Sequence, residues 1–298
     1  TGVQTCALPI FCYVDDFSKI YERYIKNRLI NDGRVRIRET KISMGEMLTI
    51  LIMFHLSGIK CFKYYYEYVV LQKFSSYFPN AISYKRFNQL MPRAILPLSI
   101  LLNSLKGEKT GIYFIDATKM PICHNKRINN HKTFNGLAQL GKSSYGWFLG
   151  FKLHMVINNK GEIMAIKITK GNVDDRKPVE QLLKNLKGYT YADKGYIDGN
   201  LFLKLYNKSM KLIYGIRNNM KNKFLTLFDK IMLRKRSLIE SAFNILKNQM
   251  NIDHTRHRSP YNFLVNTLSA LIAYCFYKGK PSIRDWSGEI DKVFLIQD

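Results

Sequence analysis

Acidic residues are scarce in this sequence: 22 Asp and Glu stand against 47 Lys and Arg, which gives a formal net charge of +25. A fold gains nothing from such an excess and suffers self-repulsion from it, so the charge indicates a polyanionic partner. We expect that partner to be nucleic acid. A merely basic protein from a lysine-rich proteome is the alternative that composition leaves open.

Cysteines are also few, and their spacing excludes two classes of protein. Five cysteines are scattered through 298 residues without a Cys-x-x-Cys pair. This pattern argues against a disulfide framework and against a zinc cluster, and it favours a reducing compartment.

Long hydrophobic runs are missing as well. The longest apolar stretches, residues 47–59 and 263–277, are shorter than the roughly 20 residues of a membrane span. We therefore expect two buried core helices and no membrane partner. Residues 1–10 show no periodicity related to that of the neighbouring residues, and we interpret them as foreign or misread sequence.

Residues 11–107 carry a helical pattern, with apolar residues three to four positions apart from residue 15 onward. Within this region, residues 78–91 predict a turn, a serine cap and a short basic helix. Such a helix could read DNA, or it could be an ordinary capped helix with exposed basic residues. The sequence therefore predicts an all-helical N-terminal region that is a candidate for DNA binding.

The apolar period changes to two in residues 108–282, which indicates a second, α/β domain. The predicted order β-β-β-α-β-α-β-α is typical of a ribonuclease-H-like fold, a mixed five-stranded sheet with flanking helices. One predicted helix covers residues 172–186, with Asp174 and Asp175 as capping acids of its first turn. Residues 283–298 form a tail of mixed charge. The predicted strands are residues 111–120, 146–158, 161–171, 189–195 and 210–217.

Three acids occupy meaningful positions in this pattern. Asp116 is expected near the end of the first strand, Asp193 after the fourth, and Glu240 on the helix after the fifth. Since the first and fourth strands neighbour each other in such a sheet, the two aspartates should lie together, with Glu240 opposite. Clustered carboxylates repel unless cations separate them, and hard oxygen ligands suit two Mg²⁺ or Mn²⁺ ions. Alternatively, each aspartate serves a turn, and Glu240 pairs with Arg236 one helical turn earlier.

Several segments together resemble the DDE transposases of bacterial insertion sequences, and more narrowly the insertion-sequence family numbered 982. The likeness covers residues 11–282. It implies an enzyme that nicks the ends of a mobile element and joins the freed 3′-OH to target DNA, with Asp116, Asp193 and Glu240 as its acidic triad. The segments are FIDATKMPICHN, GWFLGFKLHMVINNKGE, GNVDDRKPV, YADKGYI, LRKRSLIESAFNILKN and HTRHRSPYNFLVNTLSALIAYC.

A related family signature, Tyr-x2-Arg-x3-Glu-x6-Lys, matches in part. Arg236, Glu240 and Lys247 fit the spacing, but Leu233 stands at the tyrosine position, so a tyrosine contact to DNA is not expected there. On one α-helix these three charged residues would share a face that offers phosphate contacts beside the metals. A solvated basic face is the alternative.

Basic residues are concentrated around the proposed site. Residues 119–160 contain seven Lys and Arg and no acid, and residues 201–236 contain ten with a single acid. Such stretches are typical of a phosphate-binding groove. The individual candidates for DNA contacts beside the signature residues are Lys119, Lys194, Arg256 and Arg258.

A cluster of possible metal ligands lies after the first strand. Cys123, His124 and His131 are close together in the chain, but their spacing fits no standard zinc finger. We interpret the two histidines as contacts to DNA or to the residues around the metals.

The resemblance also implies partners and a location. We expect double-stranded DNA as partner, comprising terminal inverted repeats and target, a homodimer during synapsis, and a bacterial cytoplasmic protein associated with the nucleoid when bound to DNA. Two alternatives remain: an inactivated copy that only binds DNA, and a nuclease of the same fold.

Overall fold

The computed structural model describes two compact units. The helical unit comprises Thr1–Leu105 and Ile245–Tyr277, and the sheet unit comprises Lys106–Asn244 and Lys278–Asp298. The domain boundaries predicted from the sequence, residues 11–107 and 108–282, are not tested by this division into units and remain predictions. The described residues are 2–31, 40–143, 146–215, 225–253 and 257–283, with the side chains of the first helix described over 8–25.

The α-helices and strands are given in chain order. The helices are α1 (Gly2–Asn31), α2 (Met44–Leu56), α3 (Phe62–Tyr64), α4 (Tyr84–Leu90), α5 (Ile95–Ser104), α6 (Val179–Leu182), α7 (Gly199–Tyr206), α8 (Leu227–Lys235), α9 (Ser237–Asn244) and α10 (Pro260–Phe276). The strands are β1 (Ile112–Pro121), β2 (Gln139–Ser143), β3 (Gly146–Asn158), β4 (Ile163–Lys170), β5 (Gly188–Ala192) and β6 (Met210–Tyr214). Two π-helical turns extend the helical unit, Tyr65–Lys73 after α3 and Ile245–Gln249 after α9.

The core of the helical unit is formed by α2 and α10. Both helices are mostly apolar and mostly buried and pack on each other, and α10 also packs on α5, as expected for core helices. Ser43 and Glu46 form a capping box at the start of α2. The two predicted core helices and the serine cap before α4, Ser83, are thus confirmed. Within the described part of the chain, no helix combines the length and apolarity needed to cross a membrane.

The sheet unit is built on one mixed sheet. The described strands are arranged in the order β2-β3-β1-β5-β6, with β4 paired to β3. Strand β3 runs antiparallel to β1, β2 and β4, whereas β1, β5 and β6 are parallel. The predicted mixed α/β architecture is therefore confirmed, and it is compatible with a ribonuclease-H-like fold. The sequence missed β2, because this strand is short, largely exposed and interrupted by Gly141.

Helices cover both faces of this sheet. Tyr113, Ile115 and Ala192 pack in one buried cluster with residues of α6 and α7. The alternate residues of the strands point the other way, where α9 contacts β1 and α8 contacts β5. The end of the β1–β5 pairing therefore lies beside α8 and α9.

One helix prediction was wrong. Residues 172–186 contain only the short helix α6, whose N-cap is Pro178, so Asp174 and Asp175 do not cap it. Asp174 instead accepts the backbone N–H of Arg176 at 2.9 Å and pairs with its guanidinium at 2.6 Å. A local turn closed by an ion pair therefore replaces the first two turns of the predicted helix.

Candidate active site

Asp116 and Asp193 lie at equivalent positions, just after the last paired residues of the parallel strands β1 and β5. The parallel pairing of these strands ends at Phe114 and Tyr191, and Asp116 and Asp193 each come two residues later. The predicted neighbourhood of the two strands is thus confirmed. Asp116 was expected near the end of its strand, but β1 continues to Pro121, because β3 keeps pairing with β1 after β5 has ended.

Arg236 connects the sheet to the helices. It lies between α8 and α9, and its guanidinium reaches the Glu240 carboxylate at 2.7 Å and the Asp116 carboxylate at 3.4 Å. The pair with Glu240 is the one that helical spacing predicted. The contact with Asp116, 120 residues earlier, was not predicted, since sequence spacing reveals only local pairs.

The carboxyl group of Asp116 is in an unfavourable place for a charge. Its pKa is raised to about 6, by burial first and also by the carboxylates of Asp193 and Glu240, while the Ala117 N–H and Arg236 oppose the shift. The Ala117 N–H donates to the carboxylate at 2.8 Å. The site therefore combines three carboxylates with one guanidinium, so the negative charges of the three acids outnumber the positive charge of Arg236.

Tyr196 is a site residue that sequence reasoning missed. It is buried, with 3% exposure, and its hydroxyl has no hydrogen-bond partner among the described residues. Its pKa is raised by burial first and then by the negative charges of Asp116, Asp175 and Asp193. The neutral hydroxyl is thus held beside the carboxylates. Its position three residues after Asp193 is the signal that could have indicated it.

A buried hydrogen-bond network fixes α8, the helix that leads to Arg236. The carboxylate of Asp229, which is 5% exposed, accepts from the Tyr191 hydroxyl at 3.1 Å and from the Thr226 hydroxyl at 2.8 Å. Thr226 in turn caps the helix by accepting the N–H of Asp229 at 3.1 Å. Strand β5 and helix α8 are therefore joined next to the site.

Replacing Tyr191 by phenylalanine tests this connection. The variant leaves a buried carboxylate with one donor fewer, and we expect it to lower the free energy of unfolding by about 1–3 kcal/mol. Urea unfolding measures the loss. Tyr206→Phe, at an exposed tyrosine of α7, should change nothing. Equal stability of the two variants would contradict the structural role of the Tyr191 hydroxyl.

Strand β3 contributes Lys152 and His154 to a second polar cluster, which also contains Asp175. The Lys152 ammonium donates to the Asp175 carboxylate at 2.9 Å and to the Val173 carbonyl at 3.0 Å. His154, 1% exposed, contacts the Thr169 hydroxyl at 2.8 Å, and its Nδ1 lies 4.0 Å from Asp175. Burial lowers the pKa of His154 to about 4, so the ring is neutral at physiological pH. Lysine and aspartate therefore provide the charges of this cluster.

The predicted DNA contacts are distributed over both units. Lys119 lies on β1, opposite Lys152 of β3, and Lys194 is exposed directly after Asp193. Lys247 belongs to the π-helical turn Ile245–Gln249 of the helical unit, and its ammonium lies 3.6 Å from the Asp253 carboxylate. Glu240 belongs to the sheet unit, and the prediction that both residues share one helix face remains a prediction. Arg258 is exposed in the helical unit, and Arg256 lies outside the described residues.

Metal ligation is not preformed in the described residues. No group of three or more His, Cys, Asp or Glu side chains among them is arranged to hold a metal ion. At the triad, the Arg236 guanidinium lies beside both Asp116 and Glu240. The other candidate ligands make local contacts: His124 caps the turn that comes after it, and the His131 ring stacks on Phe134.

Comparison with known proteins identifies the family of the chain. A search of curated proteins finds no match. A family model described as the transposase DDE domain matches residues 106–260, which is more than half of the chain and includes all three acids of the site. The chain belongs to the family of transposase DDE domains.

Proposed function

We propose that this protein is an insertion-sequence transposase, of the family numbered 982, with a ribonuclease-H-like catalytic core. It would cleave DNA at the ends of its element and transfer the freed strands into target DNA. The observation that carries this proposal is the position of three carboxylates. Asp116 and Asp193 lie together after the end of the β1–β5 pairing, and the guanidinium of Arg236 contacts both Asp116 and Glu240. Family membership and the charge of +25 support DNA as the substrate.

Asp116, Asp193 and Glu240 are the residues that would hold two Mg²⁺ or Mn²⁺ ions. Their carboxylate oxygens are the ligands such ions prefer. The pKa of Asp116 is raised by burial first and also by the two neighbouring carboxylates, and bound cations would stabilise its charged form. When bound, two such ions activate an attacking hydroxyl and stabilise the leaving oxygen of an in-line displacement. Arg236 would release one of its two carboxylates to admit them.

The protein's own residues would then orient the substrate. Once released, the Arg236 guanidinium can contact a phosphate in a bidentate manner, and the Tyr196 hydroxyl can donate to a site carboxylate. Lys119 and Lys194 flank the acids and would bind the DNA backbone. Lys247, Arg256 and Arg258 would extend that binding in the synaptic complex, for which we propose a homodimer. The protein would act in the bacterial cytoplasm.

Cleavage of labelled duplex carrying the element's own ends tests this function. With Mn²⁺ the protein should nick at the element boundary, and chelator or the Asp193→Asn variant should abolish the nick. Glu108→Gln, which removes an exposed acid that pairs with Lys160, should cleave normally. Cutting that survives in Asp193→Asn would refute the triad, and binding without cutting would favour an inactivated copy. Cutting without regard to terminal sequence would favour a nuclease of the same fold.

A further inference from the structure

The hairpin of β2 and β3 exposes an aromatic and aliphatic strip. Lys142 and Trp147 are cross-strand partners, and Leu140 and Leu149 form the next pair on the same face. Trp147 is 55% and Leu140 42% exposed. The pair between them, Gly141 and Phe148, faces inward and is buried. A large aromatic ring that stays more than half exposed leaves apolar surface on which a partner can pack.

Positive charge surrounds this strip. The Lys142 ammonium lies 5.8 Å from the centre of the Trp147 ring. The Asn125 side chain donates to the Trp147 carbonyl at 2.9 Å, which holds the turn containing Lys126 and Arg127 against this strand. All three basic residues are exposed, and residues 119–160 contain no Asp or Glu. The surface therefore complements a polyanion.

We propose that Trp147 stacks on an unpaired base of single-stranded DNA whose phosphates contact Lys142, Lys126 and Arg127. Stacking on an exposed ring requires a free base face, which paired duplex hides, while cations beside the ring bind the backbone. The proposal deepens the proposed function, on which it rests, by assigning a surface away from the acids to the strand that opens during cleavage or joining.

The two tryptophans of the chain make a direct optical test possible. The second one, Trp286, lies outside the described residues, so Trp286→Phe leaves Trp147 as the sole reporter. Titration of this variant with a single-stranded oligonucleotide should quench its fluorescence strongly, and a blunt duplex of the same length should quench it weakly. The complementary variant Trp147→Phe, which retains Trp286, shows whether quenching arises elsewhere.

Affinity measurements separate stacking from charge. By fluorescence anisotropy, Trp147→Ala should bind single-stranded DNA about tenfold more weakly and duplex less than threefold more weakly, while Trp147→Phe keeps most of the affinity. Lys142→Ala should weaken both ligands and reduce the salt dependence of binding. Because Trp147 is exposed, the Tm of Trp147→Ala should equal that of the wild type.

Three outcomes would overturn the proposal: no quenching at saturating single-stranded DNA, equal losses for both ligands in Trp147→Ala, or self-association that disappears in Trp147→Ala. The last would assign the strip to a second copy of the chain. Failure of the proposed catalytic function would look different, because cleavage would be absent while Trp147 still responded to single-stranded DNA.

Discussion

Replacing Asp116 by asparagine is expected to abolish cleavage and, at the same time, to stabilise the metal-free protein. Asparagine keeps the shape of the side chain and can still accept the Ala117 N–H, but it supplies no charge to a metal. Loss of several kcal/mol of transition-state stabilisation lowers the cleavage rate by at least about 10³-fold. The gain in stability has a separate cause, the cost of keeping a carboxylate partly buried.

The sign of this stability change is set by the pKa. The folded-state pKa of Asp116 is raised from 3.8 to about 6, so between these values the folded protein holds a proton that the unfolded chain has lost. Stability therefore falls as pH rises from about 4 to 6, and the deficit is complete above pH 6. A shift of about two units corresponds to at most ~3 kcal/mol. The favourable contact with Arg236 is already included in this pKa, and the partial exposure of the side chain, 23%, reduces the expected gain to about 1–2 kcal/mol.

Thermal unfolding in chelator measures the effect. We expect the Tm of Asp116→Asn to exceed that of the wild type by about 2–6 °C at pH 7.5, and the difference should shrink towards pH 5. Mn²⁺ should raise the Tm of the wild type and not that of the variant. Glu240→Gln is the matched control: its carboxylate is 54% exposed, so cleavage should be lost without a gain in Tm. A less stable Asp116→Asn, or one that still cleaves, would contradict the assignment.

The sequence predicted the site as far as periodicity and order reach. Alternating apolar residues located five strands, and their order implied that β1 and β5 are neighbours, which placed Asp116 beside Asp193. Contacts between side chains that are far apart in the chain could not be predicted from periodicity, and the contact of Arg236 with Asp116, 120 residues apart, is one of them. Tyr196 has a distinctive role only because burial leaves its hydroxyl without a partner among the described residues, and burial is a property of the fold.

Errors in the secondary structure also have physical reasons. The predicted helix over residues 172–186 was too long because its first residues form a turn, in which Asp174 pairs with Arg176, and the helix begins only after Pro178. Strand β2 was missed because it has one buried residue, Gly141, and so lacks the alternation that reveals a strand.

A large stability loss is expected from Gly150→Ala. Gly150 is paired on both sides, with Pro121 of β1 and Gln139 of β2, and its carbonyl accepts the N–H of Gly171 at 3.0 Å. A Cβ at this position would lie 2.2 Å from the Met120 carbonyl oxygen. That oxygen is part of the strand backbone and cannot rotate away as a side chain would, so β1 and β3 must separate.

We expect this separation to lower the free energy of unfolding by at least about 3 kcal/mol, at the upper end of overpacking effects. Urea midpoints at unchanged m-value measure the loss. Gly199→Ala is the control, because a Cβ at the first residue of α7 meets no atom within 4 Å and alanine favours a helix, so its midpoint should stay or rise slightly. Equal midpoints for the two variants would mean that β1 and β3 do not approach each other this closely.

Gly150 also links this stability prediction to the proposed DNA-binding strip. It is the residue at which β3 passes from its pairing with β1 into the hairpin that carries Trp147. A destabilised Gly150→Ala should therefore also lose the preference for single-stranded DNA, whereas Gly199→Ala should keep it.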